Sequence, residues 1–309
     1  MRKTSYAAAI AEALRISFVD DPSFSLVGSY VLGLGPKRAL MDPIRAEFSD
    51  RIYDPPISEA AIVSIGAGAA MAGARPFVDI GTGSFTYVGW SPLVNEAAVA
   101  RHMSNGTLKV PIVYHILHGL RRAAGIEIVI PSSPYDVKGL MRSAIKSNNP
   151  TMFVNHARLM DVEGDVPEGD YIVPLGHADI KRKGRDITVI ATSYVVHAAL
   201  SAAETLAKEG IDAEVVDPRT LVPLDRDVIL QSVGRTGRLV VADETNLSCG
   251  IASEISAIVA EHGFKSLKAP IMRVARPDIP TPFSYPLEQA ITPTAEKIAE
   301  AVRRTVKWS

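Results

Sequence analysis

The residues with the strongest chemical content run Asp54-Pro55-Pro56-Ile57-Ser58-Glu59-Ala60-Ala61-Ile62. Two prolines close an extended segment, and a run of small and apolar residues opens from Ala60 to Ala74, with Gly66, Gly68 and Gly73 inside it. Glu59 is the one ionisable side chain at the head of that run. The pattern predicts a helix buried all round, and a carboxylate entering such a helix needs a partner, because an unpaired buried charge is expensive. The plain structural alternative is a first-turn acid that complements the helix dipole. Other familiar chemistries are missing. Gly33, Gly35 and the later glycines make no G-x-G-x-x-G between strand and helix, and neither a Gly-Lys-Ser/Thr loop nor a G-x-S-x-G elbow occurs. The seven histidines fall into no local metal-ligand spacing. Cys249 is the only cysteine, which excludes an intramolecular disulfide and reads as a small packed residue.

The elements that must position Glu59 follow from periodicity and punctuation. A helix is predicted from Ser5 to Val19, stopped by Asp20-Asp21-Pro22, then a strand from Phe24 to Val27 ending at Gly28. Leu32 to Pro36 reads as a loop, followed by a weak helix to about Phe48 and then the Ala/Gly-rich helix, broken by Arg75-Pro76. Strands are predicted at Phe77–Ile80, Val110–Ile116, Ile126–Ile130 and Thr151–Val154, with helices at Leu93–Met103 and Pro134–Ser147. Residues 158–185 are polar and rich in glycine and proline, as suits an interdomain connection. The alternation then resumes. Strands at Asp186–Ala191, Ala213–Asp217, Arg238–Ala242 and Ile271–Ala275 are separated by helices at Val196–Glu209, Asp225–Val233 and Cys249–His262, and Pro293–Val306 closes the chain. The expectation is α/β: two doubly wound domains, 1–157 and 186–309, joined by a linker over 158–185.

Composition agrees. A chain of 309 residues has room for two cores, and its 47% apolar and 22% charged content is that of a globular protein. A formal net charge of −1 gives no footprint for nucleic acid or a membrane surface. No apolar run reaches the ~18 residues of a spanning helix, and Met1 to Ser5 lead straight into a helical pattern with no apolar leader. A cytoplasmic location is expected.

Asp54-Pro55-Pro56-Ile57-Ser58-Glu59-Ala60-Ala61 resembles the D-T-P-I-S-E-A-A signature of the β subunits of thiamine-diphosphate-dependent 2-oxoacid and acetoin dehydrogenases. Asp217-Pro218-Arg219-Thr220-Leu221-Val222-Pro223-Leu224-Asp225 resembles their D-L-R-T-L-x-P-L-D signature. Leu93-Val94-Asn95-Glu96-Ala97-Ala98, Val110-Pro111-Ile112-Val113 and Pro131-Ser132-Ser133-Pro134-Tyr135-Asp136-Val137-Lys138-Gly139-Leu140 extend the resemblance nearly end to end. It implies a thiamine-diphosphate pyrimidine-binding domain followed by a transketolase C-terminal-like domain. It also implies an α subunit in an α2β2 heterotetramer that shares the cofactor and carries its Mg²⁺, since no Gly-Asp-Gly metal signature occurs here.

On this resemblance Glu59 is the catalytic residue. Hydrogen-bonded to the pyrimidine N1′, it favours the imino tautomer, whose nitrogen takes the thiazolium C2 proton; burial would raise the carboxyl pKa toward that of its partner. Phe85 matches the aromatic that stacks on the pyrimidine, and Ile57 and Ser29 are the further cofactor-binding candidates. Arg219 is expected to anchor the loop after strand Ala213–Asp217 or a subunit interface. The implied reaction is 2-oxo acid decarboxylation or acetoin cleavage, with acyl transfer to a lipoyl-E2 protein. A split-subunit transketolase-like lyase or ligase without a lipoyl acceptor is the alternative, and a non-catalytic assembly chain is disfavoured by Glu59.

Three departures from the family pattern stand out. The usual G-E-D after the first strand is Gly28-Ser29-Tyr30, and the usual Asp-Gln before the I-V-N run is Ser91-Pro92. A family loop containing Gln-His-Ser is absent, because Arg121-Arg122-Ala123-Ala124-Gly125 runs directly into Ile126-Glu127. Close matches on both flanks favour a mobile segment missing at that point over a true deletion. His115 and His118 lie near and read as ordinary strand-end residues.

Overall fold

The computed structural model describes residues 1–28, 31–32, 35–117, 125–279, 281–282 and 284–308. The chain divides into two compact units, Met1–Leu175 and Gly176–Ser309.

In the first unit the elements are β1 (Arg2–Ser5), α1 (Tyr6–Asp20), β2 (Phe24–Val27), α2 (Asp42–Glu47), β3 (Ile52–Tyr53), α3 (Glu59–Met71), β4 (Arg75–Gly81), α4 (Val99–Met103), β5 (Val113–Ile116), β6 (Glu127–Val129), α5 (Pro134–Lys146), β7 (Thr151–Val154) and β8 (Glu163–Val166). Six strands lie in the order β6-β7-β5-β4-β2-β3, every adjacent pair parallel. Parallel strands covered on both faces need apolar side chains on both, and β5 and β7 are buried at every residue. α3 packs on the face that carries Val78. Gly66 permits this approach: a Cβ there would stand 2.4 Å from Val78 Cγ2 and 2.9 Å from Ile112 Cδ1. The stretch ahead of α4, Pro92–Ala98, winds as a π-helix.

Residues 158–175 do not cross between units as their polarity suggested. β8 pairs antiparallel with β1, and the segment beyond it is strapped to α1 and α5. Arg142, 1% exposed, bonds Asp170 Oδ1 at 2.8 Å and Ser17 Oγ at 2.6 Å and also pairs with Asp20. Lys138, fully buried, reaches Glu12 at 3.1 Å and the Pro167 carbonyl at 3.1 Å and lies 5.1 Å from the centre of the Tyr171 ring. Two buried cations on one helix thus gather the acids and carbonyls of the strap, which meets the requirement that buried charges be paired.

The second unit comprises β9 (Asp179–Arg182), β10 (Ile187–Ala191), α6 (Val195–Lys208), β11 (Ala213–Asp217), β12 (Thr220–Val222), α7 (Arg226–Thr236), β13 (Leu239–Asn246), α8 (Ile251–His262), β14 (Met272–Arg276), α9 (Tyr285–Ile291) and α10 (Ala295–Val306). One sheet runs β14-β13-β10-β11-β9, parallel except for the antiparallel edge strand β9. Its two faces bury separate apolar clusters, one under α6 and α10, the other under α7 and α8. Arg219, at φ +59°, bonds Asp179 Oδ2 at 2.9 Å while its backbone N–H donates to Asp217 Oδ1. It anchors the loop after β11, one of the two roles expected for it. Cys249 is exposed and left-handed at φ +58°, not packed as its type suggested.

Candidate functional site

A cavity of about 390 Å³ opens in the first unit at the carboxyl ends of its parallel strands, where open α/β sheets bind ligands. Gly28 follows β2, Ile80 and Gly81 end β4, and Leu117 follows β5, and all four residues line it. The loop after β3 supplies Asp54 and Ile57, and the first turn of α3 supplies Glu59 and Ile62. Phe85 completes the wall from the short 3₁₀ turn Gly83–Tyr87. Phe85, distant in sequence from Ile57 and Glu59, therefore faces one space with them.

Each is placed by a local cause. Ser58 is the N-cap of α3 in extended conformation, and its carbonyl accepts the Ile62 N–H at 2.8 Å; Glu59 is thus the first helical residue. The loop carrying Phe85 also buttresses that turn. Gly89 lies so close that a Cβ there would stand 3.1 Å from the Glu59 carbonyl oxygen and 2.8 Å from Val63 Cγ2. Phe85 is 45% exposed, so it is not the core phenylalanine that aromatic residues usually are. Gly28, at φ +91°, passes β4 so closely that a Cβ would meet the Asp79 carbonyl oxygen at 2.9 Å. A side chain on β2's last turn would push the two strand ends apart.

Two expectations about this region need correction. α3 is not buried all round: Ile62, Val63, Gly66, Ala67 and Ala70 face the core, while Ala61, Ser64, Ile65 and Gly68 are exposed and Glu59 is half-buried. The reason is that the sheet covers one side of the helix only. The second correction concerns the missing loop. Gly125 and Ile126 are consecutive in the 309-residue sequence, and Gly125 is packed against the π-helical stretch, where a Cβ would stand 2.3 Å from the Ala98 carbonyl oxygen.

Ser29 and His118 lie outside the described residues. Ser91 accepts from Asn95 Nδ2 at 3.3 Å and, like Pro92, is not among the residues lining the cavity. His115 is fully buried on β5, bonded to Asp79, so it presents no group to the cavity. Asp79 and Thr82, which also line the cavity, and Ile80 and Leu117 were not singled out from sequence. The rule that strand carboxyl ends carry ligand contacts would have found the last two. Among the described residues no group of three or more His, Cys, Asp or Glu side chains could hold a metal ion, and no helix is long and apolar enough to cross a membrane.

Residues 2–125 match the transketolase pyrimidine-binding domain, and residues 176–298 match the transketolase C-terminal domain. Over 332 residues the chain is 41% identical to the acetoin:2,6-dichlorophenolindophenol oxidoreductase subunit β of Cupriavidus necator, covering 99% of this chain and 98% of the relative. The chain belongs to the β-subunit family of thiamine-diphosphate-dependent dehydrogenases. Another member, the pyruvate dehydrogenase E1 component subunit β of Bacillus subtilis, is 36% identical over 97% of this chain and 98% of its own. The 2-oxoisovalerate dehydrogenase subunit β of the same organism is 38% identical over 84% and 85%. A solved split-gene transketolase, an inactive β4 tetramer, has a TM-score of 0.81 at 20% identity over 98% of both chains and shows the shared fold. The Cupriavidus alignment is longer than this whole chain. Some segments of the family member therefore have no counterpart in this chain, in keeping with the direct run of Gly125 into Ile126.

Proposed function

We propose that this chain is the β subunit of a thiamine-diphosphate-dependent E1-type dehydrogenase and that its cavity holds the aminopyrimidine half of the cofactor. The observation that carries the reading is the convergence of Glu59, Phe85 and Ile57 on one cavity at the strand carboxyl ends of the domain matched to pyrimidine binding. The residues present fit such a ring. Its volume lies in the range of small-molecule sites; Ile57, Ile62, Ile80, Phe85 and Leu117 offer apolar surface to flat faces, and Glu59 offers a carboxyl group to a ring nitrogen.

Thiamine diphosphate, when bound, would supply a carbon nucleophile and an electron sink for the pair released when a bond to the substrate's carbonyl carbon breaks. Glu59 exchanges a hydrogen bond and a proton with the pyrimidine N1′, the general acid–base part of the chemistry. Phe85 stacks on the ring and fixes its plane, and Ile57 and Leu117 exclude water from its edges. An α subunit supplies the diphosphate and Mg²⁺ sites in an α2β2 assembly. The exposure of Ile57, Phe85, Tyr87 and Val88 beside the cavity leaves apolar surface of the kind a partner covers. The substrate is a 2-oxo acid or an acetoin-like ketone, the acyl acceptor a lipoyl-E2 protein, and the location cytoplasmic.

Co-expression with a candidate α chain, followed by assay of acetoin and 2-oxo acids with thiamine diphosphate, Mg²⁺ and a dye acceptor, tests the assignment. Cofactor-dependent dye reduction is expected. Ketose cleavage without dye reduction would replace the dehydrogenase reading by a transketolase-like one, and turnover unchanged in Glu59→Ala would overturn both.

A further inference from the structure

The end of β4 holds a second carboxylate for which the proposed chemistry has no use. Asp79 and His115 face each other across the β4–β5 ladder with fully buried side chains, and Asp79 Oδ1 lies 2.9 Å from His115 Nδ1. Asn155 Nδ2 lies 2.8 Å from His115 Nε2, and Tyr6 donates to Asn155 Oδ1 at 2.6 Å. The directions agree with one tautomer: Nδ1–H donates to Asp79, and Nε2 accepts from the Asn155 amide. A polar line thus runs from α1 through β7 and β5 to β4, in the interior of the unit.

Its far end touches the cavity. Asp79 Oδ1 also accepts the Gly81 backbone N–H at 3.2 Å. The ladder slips just there: Asp79 faces His115 but Gly81 faces Ile116, so Ile80 is an extra residue on β4. Gly81 turns left-handed at φ +77°, and its carbonyl accepts the Leu117 N–H at 2.7 Å. The Phe85 ring rests over this turn, with Cδ2 3.9 Å from the place a Gly81 Cβ would take. Bulges of this kind re-aim the residues that follow, and here those are the residues that line the cavity.

A buried polar line is costly unless every member is satisfied, and an apolar set would stabilise the sheet at least as well. Asp79 Oδ2 has no hydrogen-bond partner. The carboxylate is therefore satisfied only on the side that touches His115 and the Gly81 turn. We propose that Asp79, locked by His115, is a positioning residue that holds the bulged turn at Gly81 and so sets Phe85 against the cofactor's aminopyrimidine. The bulge and its clamp stand on geometry alone; the purpose assigned to them rests on the cofactor reading above.

The test uses two readouts. In the protein without cofactor, amide hydrogen exchange over residues 81–88 is expected to rise about tenfold in Asp79→Ala, with α5 unchanged, because the clamp acts locally. Asp79→Asn keeps an acceptor for both donors and should stay near the parent. If Asp79→Ala does not fold, His115→Phe removes the clamping donor while keeping a ring against Phe77, and His115→Asn, whose amide can replace Nδ1–H, should restore it. In the complex with the α chain, Asp79→Ala should raise the KM for thiamine diphosphate about tenfold with kcat at saturation nearly kept, and should add nothing in a Phe85→Ala background, as expected of residues acting through one another. Unchanged exchange over 81–88, or fully additive effects with Phe85→Ala, would overturn the proposal. A parent complex that fails to bind thiamine diphosphate would instead remove the cofactor reading, and the exchange result would still decide whether Asp79 clamps the turn.

Discussion

The position of Glu59 depends on how closely α3 seats on the sheet, and two glycines of that helix measure it. At Gly66 a Cβ would stand 2.4 Å from Val78 Cγ2 and 2.9 Å from Ile112 Cδ1; at Gly68 there is nothing within 4 Å. Alanine is favoured over glycine in a helix interior by ~1 kcal/mol at either position. Overpacking costs ~1–3 kcal/mol, and only at position 66. Val78 is branched next to the backbone and cannot swing away freely, so the strain must be met by lifting the helix. The propensity gain cancels when the two variants are compared. Gly66→Ala should therefore be less stable than Gly68→Ala by about 1–3 kcal/mol, with Gly68→Ala at or slightly above the parent. Urea denaturation of the purified chain reads this from the midpoints, provided the slopes agree. Equal shifts in the same direction would mean that α3 does not sit on Val78 as described, and the placement of Glu59 would lose its structural basis.

Glu59→Gln, assayed with the α chain, should lower kcat by roughly 10²–10⁴, the usual worth of a positioned acid–base group, with cofactor affinity within a few-fold of the parent by calorimetry. Phe85→Ala should raise the KM for thiamine diphosphate about tenfold, as loss of one aromatic stacking contact implies, while kcat at saturation changes little. The strap over residues 167–175 should loosen in acid. Its hydrogen bond from Arg142 holds the Asp170 carboxyl down at about 2, so its stabilisation is complete above the unfolded value near 4 and disappears as pH falls from about 4 to 2. After allowance for its partial exposure this is worth about 1 kcal/mol, and denaturation of the parent against Asp170→Asn across that window should show the difference shrink; a difference undiminished at pH 2 would refute the pairing.

Regular elements were legible wherever one local signal dominated. β2, β7 and β11 lie on the residues at which short, apolar-rich stretches between helical patterns placed them, and α3 opens at Glu59 because two prolines and a serine punctuate the chain there. The strap was not legible. Its polar composition resembles a surface crossing, and what holds it down is Arg142 and Lys138 on a separate helix, a pairing with no periodicity to read. β3 and β12, of two and three residues, are too short to show alternation. The exposed side of α3 was misread for a related reason: alanine and glycine look the same in sequence whether they meet a core or a surface left for a partner. Of the site, Glu59, Phe85 and Ile57 came through family resemblance. The Asp79–His115 clamp did not, because its meaning lies in cross-strand register rather than in either residue's neighbours.

The half-buried state of Glu59 changes where the drying of the site must come from. The sequence suggested a carboxyl enclosed by its own helix, but α3 turns one side outward and Ser58 provides no side-chain cap over its first turn. Within this chain the cavity wall is apolar on several sides, yet Ile57 is 76% exposed at its edge and Phe85 45%. Strong acid–base interaction with a ring nitrogen requires that water be kept out, since the same hydrogen bond weakens sharply in a high-dielectric setting. The missing cover is therefore expected from the surface that seats on Ile57, Tyr87 and Val88. A chain built this way should hold the geometry of Glu59 and Phe85 by itself but carry out turnover only when that surface is closed. Exchange protection in the first turn of α3 should then rise on addition of the α chain alone, before any cofactor is supplied. No change there would place the partner elsewhere.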